Sequence, residues 1–492
     1  VDITLLQNRR MRADLVDDGP GRFISDSEVQ QKAADFKTKL NNEQRDVFDH
    51  IVSATASSND DHRLFFLNGS GGCGKTFVYK ALYYNLRAMF KNVTCVAHTG
   101  VAAKEMVSGM TVHRTFSVPL TVEETMECRI NLESRRAQEI KEIDVLLWDE
   151  ITNSDRRVIA AVDRLLRVLH PEKSSVPFGG VLVVMGGDWK QILPIVPHTL
   201  ANGVIDYTIK RSEYWPLFKQ LYLHQNMRAI NDPNYAQLIK KIGEGSLQDE
   251  DDNVPIPESF FVKSEQEIID YVFLPNEDWS NRSILAVTNK DTFRINQKVL
   301  NKLPGEQRSY ISHDEALQEK SFISIEPETY HAETPSGLPP HVLNLKEGCE
   351  VMLLRNINVA LDLCNGTRLK IEKLYDKYLI CNPVSPNTKT PEKVYLHRIP
   401  MTSTEDPQKV LRFTRIQFPI RLSYCLTTNK AQGQTLNRVG LLLKSPVFTH
   451  GQLYVALSRV HCHDDIRIFN YSQEKEGTNI KVHNIVFKEV LL

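Results

Sequence analysis

Residues 64–86 read "LFFLNGSGGCGKTFVYKALYYNL", and few stretches restrict a fold more tightly. Leu64 to Leu67 is a short apolar run of strand type, and Asn68 to Gly74 carries too much glycine to be helical. Val78, Leu82 and Leu86 then recur at i, i+4 and i+8, the spacing of one helix face. A strand, a glycine loop and a helix follow in order. Gly69-x4-Gly74-Lys75-Thr76 is the P-loop pattern, with Gly71, Gly72 and Cys73 inside it. Its backbone N–H groups curl round an anion at a helix N-terminus, where the dipole also favours negative charge. In that role Lys75 holds the β- and γ-phosphates and the Thr76 hydroxyl ligates Mg²⁺. A glycine loop matching by accident would not also sit between a strand and a helix.

Further strand-like runs at Val93–Ala97, Val145–Trp148 and Val181–Met185 alternate with helical segments, which implies a parallel α/β sheet. A second series at Ile284–Val287, Val439–Leu443 and Ile466–Ile468 implies a second α/β unit. At 492 residues the chain has room for both. Between the halves of the second unit, over 299–411, prolines and short alternating runs ("GLPPHVLNLKEGCEVMLLRNI") indicate an all-β insertion. Asn365-Gly366 reads there as a type I′ hairpin turn. The segment 108–142 is a second insertion, charged and weakly helical.

Leu146-Leu147-Trp148-Asp149-Glu150 ends an apolar strand in two carboxylates. Asp149 is placed for the Mg²⁺ shell and Glu150 for orienting or deprotonating an attacking water. Gly186-Gly187-Asp188-Trp189-Lys190-Gln191 closes the next strand at the same carboxyl edge, so Gln191 is expected near the γ-phosphate or its water. Arg228 ("LHQNMR") and Arg459 ("YVALSRV") are the candidate cations against transition-state charge.

Lys+Arg 60 against Asp+Glu 61 gives a net charge of −1, so any nucleic-acid surface must be a local groove. The eight cysteines are scattered without a C-x-x-C pair, which fits free thiols in a reducing compartment. His461-Cys462-His463 reads as a surface turn, and the acid run Asp249 to Asp252 as a solvated loop. No apolar run approaches the roughly 18 residues of a membrane span. The chain begins with Val and shows no signal peptide, and is expected to be a piece of something longer.

Taken together these segments resemble the Pif-type (petite integration frequency) DNA helicases of superfamily 1, relatives of RecD, and more closely their copies in Helitron transposons. The resemblance rests on "LNNEQRDVF", "GSGGCGKT", "AHTGVAAKEM", "TVHRTF", "LLWDE", "GGDWKQILPIV", "QNMR", "ILAVTNKDTFRIN", "SGLPPHVLNLKEG", "LCNGTRL", "TTNKAQGQTL" and "HGQLYVALSRV", in family order. It implies two RecA-like domains, with a small insertion in the first and an SH3-like insertion in the second. The boundaries are an N-terminal extension over 1–37, a first domain over 38–107 and 143–224 with its insertion at 108–142, and a second domain over 225–298 and 412–492 with its insertion at 299–411.

The resemblance further implies that Gln44 reads the adenine edge of ATP, that Glu150 is the catalytic base, and that Arg228 and Arg459 are arginine fingers. It implies 5′-to-3′ translocation on single-stranded DNA, action at single-strand to duplex junctions, a free monomer and a nuclear location. By the same carry-over the strand contacts Thr99, His113 and Phe116, then Thr428, Lys430 and Gln432; Phe116 would stack a base. "QILPIV" stands where many relatives carry two prolines, and Trp148 where a smaller aliphatic is common.

Three rivals share parts of this pattern. A GTPase reads guanine with Asn-Lys-x-Asp, and both "NKDT" (289–292) and "NKAQ" (429–432) lack the final Asp. A catalytically silent DNA-binding relic would tolerate loss of Lys75, Asp149, Glu150 or Arg459, and all four are present. A translocase that moves without unwinding shares every motif.

Overall fold

The computed structural model describes residues 15–17, 23–56, 63–119, 122–194, 196, 199, 201–275, 277–317, 330–331, 333–335, 337–358, 361–385, 390–403, 412–471 and 475–491. Residues 1–14 and 18–22 of the expected extension, and 318–329, 386–389 and 404–411 of the expected all-β insertion, lie outside these. The chain forms two compact units. The first runs through Phe261 and adds Thr428–Asn437 and Ser445–Leu492; the second is Val262–Thr427 with Arg438–Lys444. The division between them falls at Phe261/Val262 and Thr427/Thr428, with Arg438–Lys444 also in the second. Residues 225–261, 428–437 and 445–492 belong to the first, because the helices they carry bond to one another and to the glycine loop, as with Tyr235 Oη donating to the Leu457 carbonyl (2.7 Å).

The first unit is built on six parallel strands: β1 (Leu64–Gly69), β2 (Val93–Ala97), β3 (Met110–Thr111), β4 (Val145–Asp149), β5 (Leu182–Gly187) and β6 (Lys219–Leu223), in the order β3-β2-β4-β5-β1-β6. The apolar runs send alternate side chains to opposite faces. Phe66, Leu146, Trp148, Val183 and Met185 enter one core, while Phe65, Leu67, Leu147 and Val184 enter the other. Both faces are therefore covered, which is why these strands read as continuous apolar runs instead of alternating ones. Val78, Leu82 and Leu86, on α2 (Lys75–Ala88), are each 0% exposed, as their spacing predicts. Helix α1 (Asn42–Ala56) precedes β1, and α3 (Arg156–Leu169) follows β4, capped by Asp155, whose side chain accepts from the Arg157 N–H (2.8 Å). Helix α4 (Pro233–Glu244) and the short α5 (Gln452–Leu457) complete what the site needs. The expected 108–142 insertion gives Met110–Thr111 to the sheet as edge strand β3 and, among its described residues, carries two short helices, Val112–Thr115 and Arg135–Lys141.

In the second unit Arg282–Ala286 lies between Cys425–Thr427 and Arg438–Leu443, all parallel. The all-β texture corresponds to an antiparallel sheet in the order Val394–His397, Tyr378–Pro383, Arg368–Leu374, Glu350–Leu353, Ile420–Leu422, with smaller antiparallel pairings beside it. Asn365-Gly366 does turn, with Gly366 at φ 90°. It sits at the end of a longer connection, though, and is no two-residue hairpin, because Thr367 Oγ1 ties back to the Asp362 carbonyl (3.0 Å). No helix among the described residues is long and apolar enough to cross a membrane.

Candidate active site

Strands β1, β5 and β4 are consecutive neighbours, so three loops meet at their carboxyl ends. The first is the glycine loop. Gly72 is at φ +88°, and a β-carbon there would lie 2.7 Å from Arg228 Cβ, so the position requires glycine both for conformation and for space. The loop delivers Lys75 to the first turn of α2, 8% exposed, with Nζ donating to the Gly69 carbonyl (2.5 Å). Burial alone would lower the lysine's pKa; the acidic groups around it, Cys73, Asp188, Asp149 and Glu150, outweigh that and the net shift is upward. Thr76 is the next residue on α2 and is half-buried.

The second loop follows β4. Asp149 and Glu150 are 5% and 7% exposed, and Asp149 Oδ1 accepts the Glu150 N–H (2.9 Å). Burial raises the Asp149 pKa against the pull of Lys75. Burial and then the neighbouring Asp149 raise Glu150 to about 7, opposed by Lys75 and Arg459. Glu150 also sits at φ 55°, a left-handed conformation that costs a non-glycine residue roughly 1–3 kcal/mol.

The third loop follows β5. Asp188 Oδ2 accepts from the Gly71 N–H (2.7 Å), from Tyr454 Oη (2.7 Å) and from Gln191 Nε2 (3.0 Å), and the Gly71 N–H also reaches Tyr454 Oη (2.9 Å). The other side-chain atom of Gln191, Oε1, is buried without a partner among the described residues.

Both candidate arginines come to this place. A β-carbon on Gly71 would lie 3.4 Å from Arg459 Nη2, 3.5 Å from Ser458 Oγ and 3.6 Å from Gln191 Nε2. Arg459 is 2% exposed and is held by the carbonyls of Val455 (2.9 Å) and Gln434 (3.1 Å) and by Ser458 Oγ (2.8 Å). Arg228 donates its N–H to the Gly72 carbonyl (3.1 Å) and its guanidinium to the Ser458 carbonyl (2.6 Å) and Thr435 Oγ1 (2.8 Å). Burial, and after it the Arg459 charge, lowers the Arg228 pKa to about 10. Two guanidiniums that repel each other beside a loop amide already holding a carboxylate oxygen make a place for an anion. Two buried carboxylates near Lys75 and Thr76 suit a divalent cation with it. The donor set therefore fits a nucleotide phosphate with Mg²⁺. Gln44, 3% exposed, donates Nε2 to the Cys73 carbonyl (3.2 Å), beside the loop. A cavity of about 440 Å³ borders the same loop, lined in part by Gly69, Ser70, Lys190, His224 and Tyr454.

The expected DNA contacts divide. Thr99 caps the Gly100–Glu105 helix, its Oγ1 accepting the Ala102 N–H (3.2 Å). His113 is half-buried beside His98, ring centroids 6.1 Å apart. Thr428 and Gln432 are 2% and 8% exposed, and Lys430 is half-buried on the same turn, Thr428–Ala431. Phe116 requires correction: it is 0% exposed in the core with Val96, Val112 and Trp148, because the Val112–Thr115 helix directs it beneath the sheet, and it offers no face to a base.

Asp188, Tyr454 and Ser458 were missed as site residues. Each lay inside a motif already recognised, "GGDWKQ" or "YVALSRV", where neighbours with plainer chemistry drew the assignment. The acid run behaves as a closed loop, with Asp249 accepting the Asp251 and Asn253 N–H groups and pairing with Lys481 (3.1 Å). Asp314, His331 and His341 in the second unit stand at metal-ligand spacing. Asp314 is, however, committed to the fully buried Arg415 (2.6 Å) and to Ser312 (2.7 Å), an ion-pair network complete in itself. All eight cysteines are free.

Two family descriptions match this sequence: PIF1-like helicase over residues 39–253, and DNA helicase Pif1, 2B domain, over 334–374. Similar curated proteins include the ATP-dependent DNA helicase PIF1 of Candida albicans, 24% identical over 93% of this chain and 57% of its own length. The PIF1 protein of Xenopus laevis is 25% identical over 90% and 63%, and RRM3 of Saccharomyces cerevisiae 24% over 85% and 64%. The chain thus spans between 57% and 64% of the length of these three relatives. Among solved structures, Pif1 helicase from Candida albicans matches with a TM-score of 0.62 at 24% identity, covering 92% of this chain and 98% of that one. Bacteroides Pif1 bound to ssDNA matches at 0.64 and 21%, covering 87% and 92%. These likenesses establish an α/β fold with two RecA-like domains.

Proposed function

The chain belongs to the PIF1-like helicase family, and on that premise we propose that it is an ATP-dependent DNA helicase that hydrolyses ATP with Mg²⁺ and translocates 5′ to 3′ on single-stranded DNA. The observation that carries this reading is the convergence of Lys75, Glu150, Gln191, Arg228 and Arg459 on one glycine loop. The names of the relatives, ATP-dependent DNA helicases, support the same reading.

In this reading the amides of Gly69, Gly71, Gly72, Cys73 and Gly74 line the phosphates, Lys75 bridges the terminal pair, and Gln44 selects adenine. Thr76 and Asp149 hold Mg²⁺, which when bound draws charge from the phosphate oxygens. Glu150 takes the proton of the attacking water, for which a carboxyl near pH 7 is suited. Gln191 donates to that water or to the phosphate it approaches. Arg228 and Arg459 oppose the charge that develops in the transition state. Thr99, His113, Thr428, Lys430 and Gln432 border the strand, and forked junctions are substrates. The antiparallel strands within 299–411 form an SH3-like insertion. A nuclear location and a free monomer complete the proposal.

The test is ATP hydrolysis with and without a single-stranded oligonucleotide, beside Glu150→Gln. DNA should stimulate turnover, and Glu150→Gln should lower kcat by roughly 10²–10⁴-fold, the worth of a general base. Equal turnover in the variant would remove Glu150 from the chemistry. Absence of turnover under both conditions would favour the silent DNA-binding reading.

A further inference from the structure

Gln432 belongs to a segment expected on the path of a strand, yet its side chain faces the hydrolytic chemistry. Its Nε2 donates to Glu150 Oε2 at 3.3 Å, with both residues buried. The Glu150 carbonyl in turn accepts the Asn153 N–H (3.2 Å), closing the turn Ile151–Asn153 that follows it. At the far end of that turn Ser154 Oγ bonds His98 Nδ1 (3.2 Å), the residue before Thr99. The turn bearing Gln432 also lies against this side: a β-carbon on Gly433 would sit 3.6 Å from Val101 Cγ1, on the helix that Thr99 caps. The Glu150 turn is therefore gripped at both ends by neighbours of the residues on which the strand is expected to run.

We propose that Gln432 is a positioning residue that restrains the Glu150 carboxylate, and that a single strand engaging the Thr428–Ala431 turn draws Gln432 away and frees that carboxylate to orient water. The inference rests on the reading of the chain as a DNA-driven ATPase. A carboxylate oxygen that accepts an amide hydrogen bond is aimed at the amide and is a weaker base than a free one. The strand can shift this equilibrium only because it favours the withdrawn arrangement of the turn over the restrained one.

Gln432→Met keeps the bulk of the side chain and removes the donor. Expected is a roughly tenfold rise in kcat for ATP without DNA, the worth of one hydrogen bond to a charged group. KM for ATP and kcat at saturating DNA should stay at wild-type values, so the stimulation ratio falls by the same factor. An unchanged DNA-free kcat, with weakened oligonucleotide binding by fluorescence anisotropy, would make Gln432 a strand contact alone, with no hold on Glu150, and overturn the proposal. Loss of turnover both with and without DNA, in a variant that melts normally, would make it a support and overturn it equally. A stability cycle needs no turnover at all: the melting-temperature changes of Gln432→Met and Glu150→Ala should fail to add in the double variant. A wild-type protein lacking DNA-stimulated turnover but showing that non-additivity would refute the motor reading and retain the restraint. Additive changes would remove the restraint itself.

Discussion

Trp148 fills a position where the family's smaller aliphatics are common, and the structure shows what it does there. Its ring is 0% exposed in the core on one face of the first sheet, and its indole N–H finds no partner among the described residues. An unpaired buried donor costs about 1–3 kcal/mol. Trp148→Phe trades that cost against lost volume and should stay within about 1.5 kcal/mol of wild type, whereas Trp148→Ala should lose about 3–5 kcal/mol. Urea unfolding midpoints check both; a large loss for the phenylalanine variant would mean that the indole N–H is satisfied. His98 gives a pH prediction. Burial first, and the nearby His113 second, lower its pKa from 6.5 to about 4. The unfolded chain then binds a proton that the folded one refuses, so this contribution is fully present above about pH 6.5 and declines as pH falls towards 4. Melting temperatures at pH 7, 6 and 5 should fall less steeply for His98→Gln than for wild type, and parallel slopes would contradict the assignment.

At the scale of elements, the turn before β5 is set by one buried acid on α3. Phe178, Gly179 and Gly180 are successively left-handed, at φ 54°, 61° and 76°. Asp163, 2% exposed, accepts from the Phe178 N–H (2.5 Å), from Tyr214 Oη (3.0 Å) and from Arg167 Nε (2.8 Å). Asp163→Ala leaves three donors without their acceptor and should cost about 3 kcal/mol or more. Gly179→Ala should be comparably costly, since its β-carbon would lie 2.7 Å from the Leu166 carbonyl oxygen. Thermal or denaturant unfolding of each variant decides, and a loss below about 1 kcal/mol in either would show that the turn relaxes freely. Four of the six strands of the first sheet were legible beforehand, because a strand buried on both faces announces itself as an uninterrupted apolar run, as at Leu146–Trp148; the two edge strands, Met110–Thr111 and the alternately exposed Lys219–Leu223, carry no such run. This turn was not legible either, because the acid that fixes it stands 15 residues earlier. The same distinction separates the site residues. Lys75 and Glu150 are set by their own strand ends and were found, whereas the Gln432 to Glu150 bond joins residues 282 apart and has no local signal.

For the molecule as a whole, a net charge of −1 means that long-range attraction cannot hold a polyanion, so binding must come from local contacts. Affinity for a single-stranded oligonucleotide should then fall linearly on a log–log scale with salt, and Lys430→Ala should flatten that slope by about 0.7, the contribution of one phosphate contact on a single strand. A slope identical to wild type in anisotropy titrations would take Lys430 off the path. The order of the first sheet carries a last consequence. β5 separates the loop strand β1 from the carboxylate strand β4, so their ends stand two strand spacings apart, about 9.6 Å. The intervening strand works as a spacer gauge for the strand ends alone: the loops that leave those ends bring Lys75 and Glu150 back within each other's field, where Lys75 pulls the Glu150 pKa down against its burial.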